Sequence, residues 1–131
     1  MHADAFLREV AEIAEKIDSA GIERMVAELV ALRERGGTLY LVGLGGSLAN
    51  CAHMAADLRK LCNINARSPD NMAELTAWAN DWNWACMFDG FLWHMTSDDA
   101  LFVLSVGGGT EDVSTPISAA IREAKMHLAR V

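Results

Sequence analysis

Two prolines, three cysteines, one tyrosine and no block of basic residues in 131 positions set the first limits on this chain. The cysteines, Cys51, Cys62 and Cys86, are odd in number and form no C-x-x-C pair. All three fall in stretches with helical patterning, so buried free thiols are expected rather than disulfides or a zinc cluster. Lysine and arginine number 11 against 18 acidic residues, a formal net charge of −7, which argues against nucleic acid and anionic membrane as main partners. No apolar run approaches the roughly 18 residues that a membrane span needs. The opening stretch, MHADAFLREVAEIAEK, is amphipathic and acidic, unlike a signal peptide. A cytoplasmic protein is the default reading. Internal repeats, low-complexity tracts and domain linkers are also absent, so the chain reads as a single domain over residues 1–131.

The hydrophobic fraction of 52% is enough for one modest core. Residues 3–19 place Phe6, Val10, Ile13 and Ile17 at helical spacing, and DSAG breaks that helix. A second stripe, Ile22, Met25, Val26, Leu29 and Val30, runs to the stop signal Gly36-Gly37. These two helices, residues 1–35, precede a βα core over residues 38–131. TLYLV reads as a short buried strand and residues 47–61 as a helix. NINAR reads as a weak strand, and a helix starts with Pro69 near its first turn and runs to about residue 80. WACMFDGFLWHM is another helix, ALFVLSV the clearest strand, GGGTEDVSTP a loop, and ISAAIREAKMHLAR a closing helix. Strands alternating with helices predict an α/β fold: a parallel sheet between two helical layers.

Two of the strands end in glycine-rich turns, and ligands of open parallel sheets bind at the carboxyl ends of strands. Gly43-Leu44-Gly45-Gly46-Ser47 lacks the Gly-Lys-Ser/Thr of a Walker A loop, and Leu48 occupies the last glycine position of the dinucleotide fingerprint. What remains is a tight turn whose amides approach an anion at a helix N-terminus, with Ser47 as helix cap and hydroxyl donor. Alternatively, Ser47 only caps and the glycines only turn. Ser105-Val106-Gly107-Gly108-Gly109-Thr110 repeats the arrangement after another strand. Neither loop carries Lys or Arg, which suits a phosphate monoester held by hydroxyls and amides. Between the loops, His53 and Asp57 are four residues apart and share a helical face. An imidazole and a carboxylate are half of a zinc site and suit proton transfer between adjacent carbons, or else form a local ion pair. Trp78, Trp82, Trp84 and Trp93 crowd one stretch; buried anchors or a subunit interface are expected ahead of sugar stacking.

GLGGSLANCAHMAADL resembles the G-N-G-G-S…H-x-x-x-E segment of the sedoheptulose-7-phosphate (phosphoheptose) isomerases, members of the sugar isomerase (SIS) domain superfamily. The two N-terminal helices, WANDWNW and LSVGGGTEDV agree in order with further family segments. The resemblance implies a metal-assisted aldose–ketose isomerase working through an enediol, on an SIS-type sandwich that assembles as a homotetramer. It assigns Ser47, Ser105 and Thr110 to phosphosugar hydroxyl contacts, Gly45 and Gly46 to the loop backbone, and Asp81 to an acidic active-site position. His53 matches a metal ligand, zinc being the expected ion, and Asp57 matches the glutamate that is both ligand and base. The chain departs from the pattern at Asp57, one methylene shorter, at Leu44 in place of asparagine, and at Val106 and Gly107 in place of hydroxyl residues. The family also continues past the closing helix with further strands and catalytic residues, so the core is expected to be incomplete. A phosphosugar-sensing SIS domain without turnover is the alternative function.

Overall fold

The computed structural model describes residues 1–110 and 112–131 and divides into two units, Met1–Val30 and Ala31–Val131. The first contains α1 (His2–Lys16) and most of α2 (Ser19–Glu34). The break falls where Ile17 turns extended (φ −61°, ψ 136°) and the Asp18 carboxylate accepts the Gly21 amide at 2.9 Å, covering a donor the start of α2 would leave unpaired. No residue of α1 is buried, and its stripe of Phe6, Val10, Ile13 and Ile17 faces solvent.

In the second unit β1 (Thr38–Gly43), β2 (Asn65–Arg67) and β3 (Ala100–Leu104) form a parallel sheet in the order β2-β1-β3. Every residue of β1 after Thr38 is buried, as a central parallel strand requires. Side chains alternate between the faces of a strand. Tyr40 and Val42 join Leu101, Leu75, Phe88, Leu92 and Ile117 in one core. Leu39 and Leu41 therefore point to the opposite face, where α3 (Gly46–Cys62) packs on β1 with Cys51 and Ala55 buried. The first core is roofed by α4 (Met72–Asp81), α5 (Asp89–Leu92) and α6 (Thr115–Met126). The result is the expected three-layer α/β sandwich. At its base the buried Asp99 carboxylate accepts the Thr38 amide at 2.7 Å, the Thr96 amide at 2.8 Å and the Thr96 hydroxyl at 3.0 Å. It thereby ties the start of β1 to the start of β3.

Several boundaries differ from the sequence reading, among them the first helix, which ends at Lys16 with α2 already started at Ser19, and four in the second unit have a local cause. α4 starts at Met72, three residues after Pro69, because Asn71 rather than the Ser-Pro pair caps it, accepting the Glu74 amide at 3.2 Å. The stretch after it is not one helix. A 3-10 turn (Trp84–Phe88), fixed by the Asn83 side chain accepting the Ala85 amide at 2.9 Å, gives way to the single turn of α5, where Gly90 presses on the Trp78 indole. β3 stops at Leu104, leaving Ser105 and Val106 to the loop, which also includes Glu111, outside the described residues.

α6 ends at Met126 instead of running to the penultimate residue. Leu128 turns left-handed (φ 59°), its amide bonds the Lys125 carbonyl, and the Ala129 amide bonds the Ala124 carbonyl, both at 3.1 Å. That is a Schellman stop, with leucine where glycine is usual. It returns Arg130 to pair in parallel with Ala100, at the edge of β3 away from β1.

Candidate functional site

β1 and β3 are neighbours whose last residues, Gly43 and Leu104, are partners in the ladder. The chain leaves β1 for β2 on one side and reaches β3 on the other, so the sheet reverses its winding between β1 and β3. Such a switch point is where open α/β sheets hold ligands. Both glycine loops start there.

The first loop is very tight. A Cβ on Gly43 would lie 2.8 Å from the Ser47 backbone carbon and 2.9 Å from the Leu48 nitrogen, so the first turn of α3 sits directly on the strand end. Gly45, at φ +56°, is the N-cap, and α3 starts at Gly46. Ser47 is therefore not the cap expected from sequence. A backbone with positive φ selects glycine for that position and places Ser47 within the first turn, half-buried. Gly45, Gly46 and Ser47 form the amide-rich start of a 17-residue helix, whose dipole favours an anion.

In the second loop the hydroxyls organise the backbone. Ser105 Oγ accepts the Gly108 amide at 3.0 Å. Thr110 Oγ1 accepts the Val113 amide at 2.9 Å and the Asp112 amide at 3.3 Å, while the Thr110 amide donates to the Val113 carbonyl at 2.7 Å. A hydroxyl that accepts still has its proton to donate, so Ser105 can brace the loop and meet an anion together. Thr110 also has the Val113 carbonyl within 3.4 Å of its hydroxyl, which commits it more fully to its own turn.

Along α3, His53 Nε2 lies 3.3 Å from Asp57 Oδ2, with the side chains 81% and 51% exposed. The pair borders an open depression of about 420 Å³, whose wall includes Asn50, Met54, Leu58 and Leu104. The depression thus joins the His53–Asp57 face of α3 to the residue from which the second loop departs. Cys51 anchors α3 from beneath: burial pushes its thiol pKa up, against a hydrogen bond with the Leu104 backbone. The expectation of three buried thiols is corrected at Cys62, the last residue of α3, which is exposed on the rim, and at Cys86, which is only partly covered.

Asp81 is not brought to these residues by any described contact. It closes α4 on the return path toward β3, and its carboxylate accepts from Asn80 at 2.9 Å. The tryptophans are not buried anchors either. Trp82, Trp84 and Trp93 are 72%, 55% and 60% exposed, and Trp82 and Trp93 flank half-buried Trp78 at ring distances of 6.4 and 5.8 Å. Asn50 was missed by the sequence reading. Its spacing of three to His53 and seven to Asp57 was the available signal.

Among the described residues no group of three or more His, Cys, Asp or Glu side chains is placed to hold a metal ion. His53 and Asp57 are two donors, short of the three protein ligands of a catalytic zinc. The described residues alone therefore do not fit a complete zinc site.

The fold is shared with a solved phosphoheptose isomerase. The chain superposes on the solved structure of phosphoheptose isomerase GmhA from Neisseria gonorrhoeae with a TM-score of 0.82, over 97% of this chain and 69% of that one, at 22% sequence identity. No family model and no curated protein matches the chain. No helix among the described residues is long and apolar enough to cross a membrane.

Proposed function

We propose that this chain binds a sugar phosphate across the two loops and interconverts its aldose and ketose forms. The observation that carries the reading is the placement of both hydroxyl-and-glycine loops on adjacent strand ends, with the His53–Asp57 helix leaving from the first. The phosphate lies at the start of α3, among the Gly45, Gly46 and Ser47 amides, with the Ser105 hydroxyl opposite. Successive residues rise about 1.5 Å along a helix, so His53 is roughly 9 Å beyond Ser47. That span matches the distance from the phosphate to the carbonyl end of an extended six- or seven-carbon chain. There the Asp57 carboxylate removes a proton from the carbon beside the carbonyl and returns it to the former carbonyl carbon, while the proton of the adjacent hydroxyl passes to the former carbonyl oxygen. His53 orients that carboxylate and offers a ring N–H to the enediolate oxygen.

A bound zinc ion would polarise the carbonyl. It needs donors beyond His53 and Asp57, and no step above runs through it. Asp81 enters this scheme only if another chain presents it. The exposed stripe on α1 supports self-association, which would bring a second chain close.

The test is proton exchange. Fructose 6-phosphate and sedoheptulose 7-phosphate are incubated with the protein in deuterated water, with and without zinc, and followed by NMR. Deuterium entering beside the carbonyl, and lost in Asp57→Asn, supports the reading; binding without exchange in either condition sinks it. A second reading, phosphosugar sensing without turnover, is favoured by the exposure of Asp57, because an open carboxylate does not keep water away from the reacting carbon. Thermal stabilisation by these sugar phosphates with no exchange would select it.

A further inference from the structure

Asn50, His53 and Asp57 stand at i, i+3 and i+7 on α3 and border one depression. The rest of the lining is largely apolar, with Met54, Leu58 and Leu61 from α3 itself and Leu104 from the end of β3. A polyhydroxylated chain laid there gives up water at its hydroxyls and finds few partners in return, so the one neutral amide decides which hydroxyl is kept. Asn50 lies about 4.5 Å along the helix from Ser47 and about 4.5 Å short of His53. That is midway between the phosphate end and the proton-transfer end of the proposed substrate. A carboxamide holds donors and an acceptor without charge, and so meets a hydroxyl in either orientation. Local structure supplies no other reason for the residue: Asn50 is exposed in the interior of α3, caps nothing, and is a poorer helix former than alanine.

We infer that Asn50 is a specificity residue, taking one mid-chain hydroxyl of the sugar phosphate and so selecting the configuration of a single carbon. The inference rests on the phosphosugar reading above and adds to it a residue and a discrimination that the loops cannot make. Sites that hydrogen-bond a substrate hydroxyl reject analogues that misplace it.

Titration calorimetry on the full chain tests this with four probes: inorganic phosphate, fructose 6-phosphate, and its epimers at carbon 3 (allulose 6-phosphate) and carbon 4 (tagatose 6-phosphate). The wild type is expected to prefer one epimer by about 10-fold, the scale of one neutral hydrogen bond plus a misplaced hydroxyl. Asn50→Ala is expected to bring the three sugars within about 2-fold of one another while leaving inorganic phosphate unchanged. Asn50→Asp, which keeps an acceptor and loses the donor, falls between. Three outcomes overturn the inference: an epimer preference that survives Asn50→Ala, no preference in the wild type, or inorganic phosphate weakened as much as the sugars. A wild type that binds no sugar more tightly than inorganic phosphate removes the phosphosugar reading itself, and that result is distinct from the other three.

Discussion

Gly43 and Leu104 face each other on the last rung of the β1–β3 ladder, so the loops that follow them leave the sheet at the same height. From that one register it follows that the Gly45–Ser47 turn and the Ser105 loop start side by side at the same end of the sheet.

Ser47→Ala and Ser105→Ala are each expected to weaken sugar-phosphate binding by roughly 10- to 100-fold, the range for hydrogen bonds to a charged group. Ser105→Ala also removes the acceptor of the Gly108 amide, so it alone should increase amide exchange in that loop. Calorimetry and hydrogen-exchange mass spectrometry separate the two effects; equal exchange in both variants would contradict the bracing role of Ser105.

Asp99→Ala strips the Thr38 and Thr96 amides of their acceptor at the base of the sheet. A loss of about 2–4 kcal/mol is expected, since buried donors are left unpaired. Asp99→Asn keeps one acceptor oxygen and should cost less. Urea unfolding midpoints give the comparison, and a change below 1 kcal/mol for Asp99→Ala would reject the role assigned to this carboxylate.

The Asp89 carboxyl is held above its ordinary value of 3.8, first by burial, with the Cys86 hydrogen bond pulling down and the charge of Glu123 pushing up. In the pH window just above 3.8 the folded state therefore binds more protons than the unfolded state, and stability falls as pH rises through it. Asp89→Asn should raise the Tm at pH 7, and the gain should vanish below the ordinary value. Thermal melts across pH 3 to 8 check the direction.

The stripe on α1 predicts that the protein self-associates through its first helices. Val10→Glu with Ile13→Glu should lower the mass seen by light scattering to that of the monomer while circular dichroism is kept. A monomeric wild type would refute this.

Most of the sandwich was legible because its strongest signals are local: apolar runs for β1 and β3, glycines after each, and helical spacing in α3. What escaped is set by contacts distant in sequence. Asp99, in the polar stretch TSDDA, carries no local signal of burial, yet it is buried, where it accepts the amide of a residue 61 positions away. Arg130 continues a helical pattern on paper, and it leaves the helix because pairing with Ala100 satisfies its backbone. In the site, the loops and the His53–Asp57 pair were found by spacing. The N-cap role of Gly45 and the lining role of Asn50 depend on backbone angle and on the shape of the wall, which a single sequence does not display.

The three thiols sit at three depths: Cys62 exposed on the rim of the depression, Cys86 half-covered, and Cys51 sealed between α3 and the sheet. A thiol reagent applied in short pulses thus reads three separate events in one experiment. Cys62 reports whether a ligand or a second chain covers the depression. Cys86 reports the roof, and Cys51 reacts only in molecules whose α3 has lifted from β1 and β3. Protection of Cys51 by a sugar phosphate would measure, in free energy, how firmly the ligand clamps that helix to the sheet.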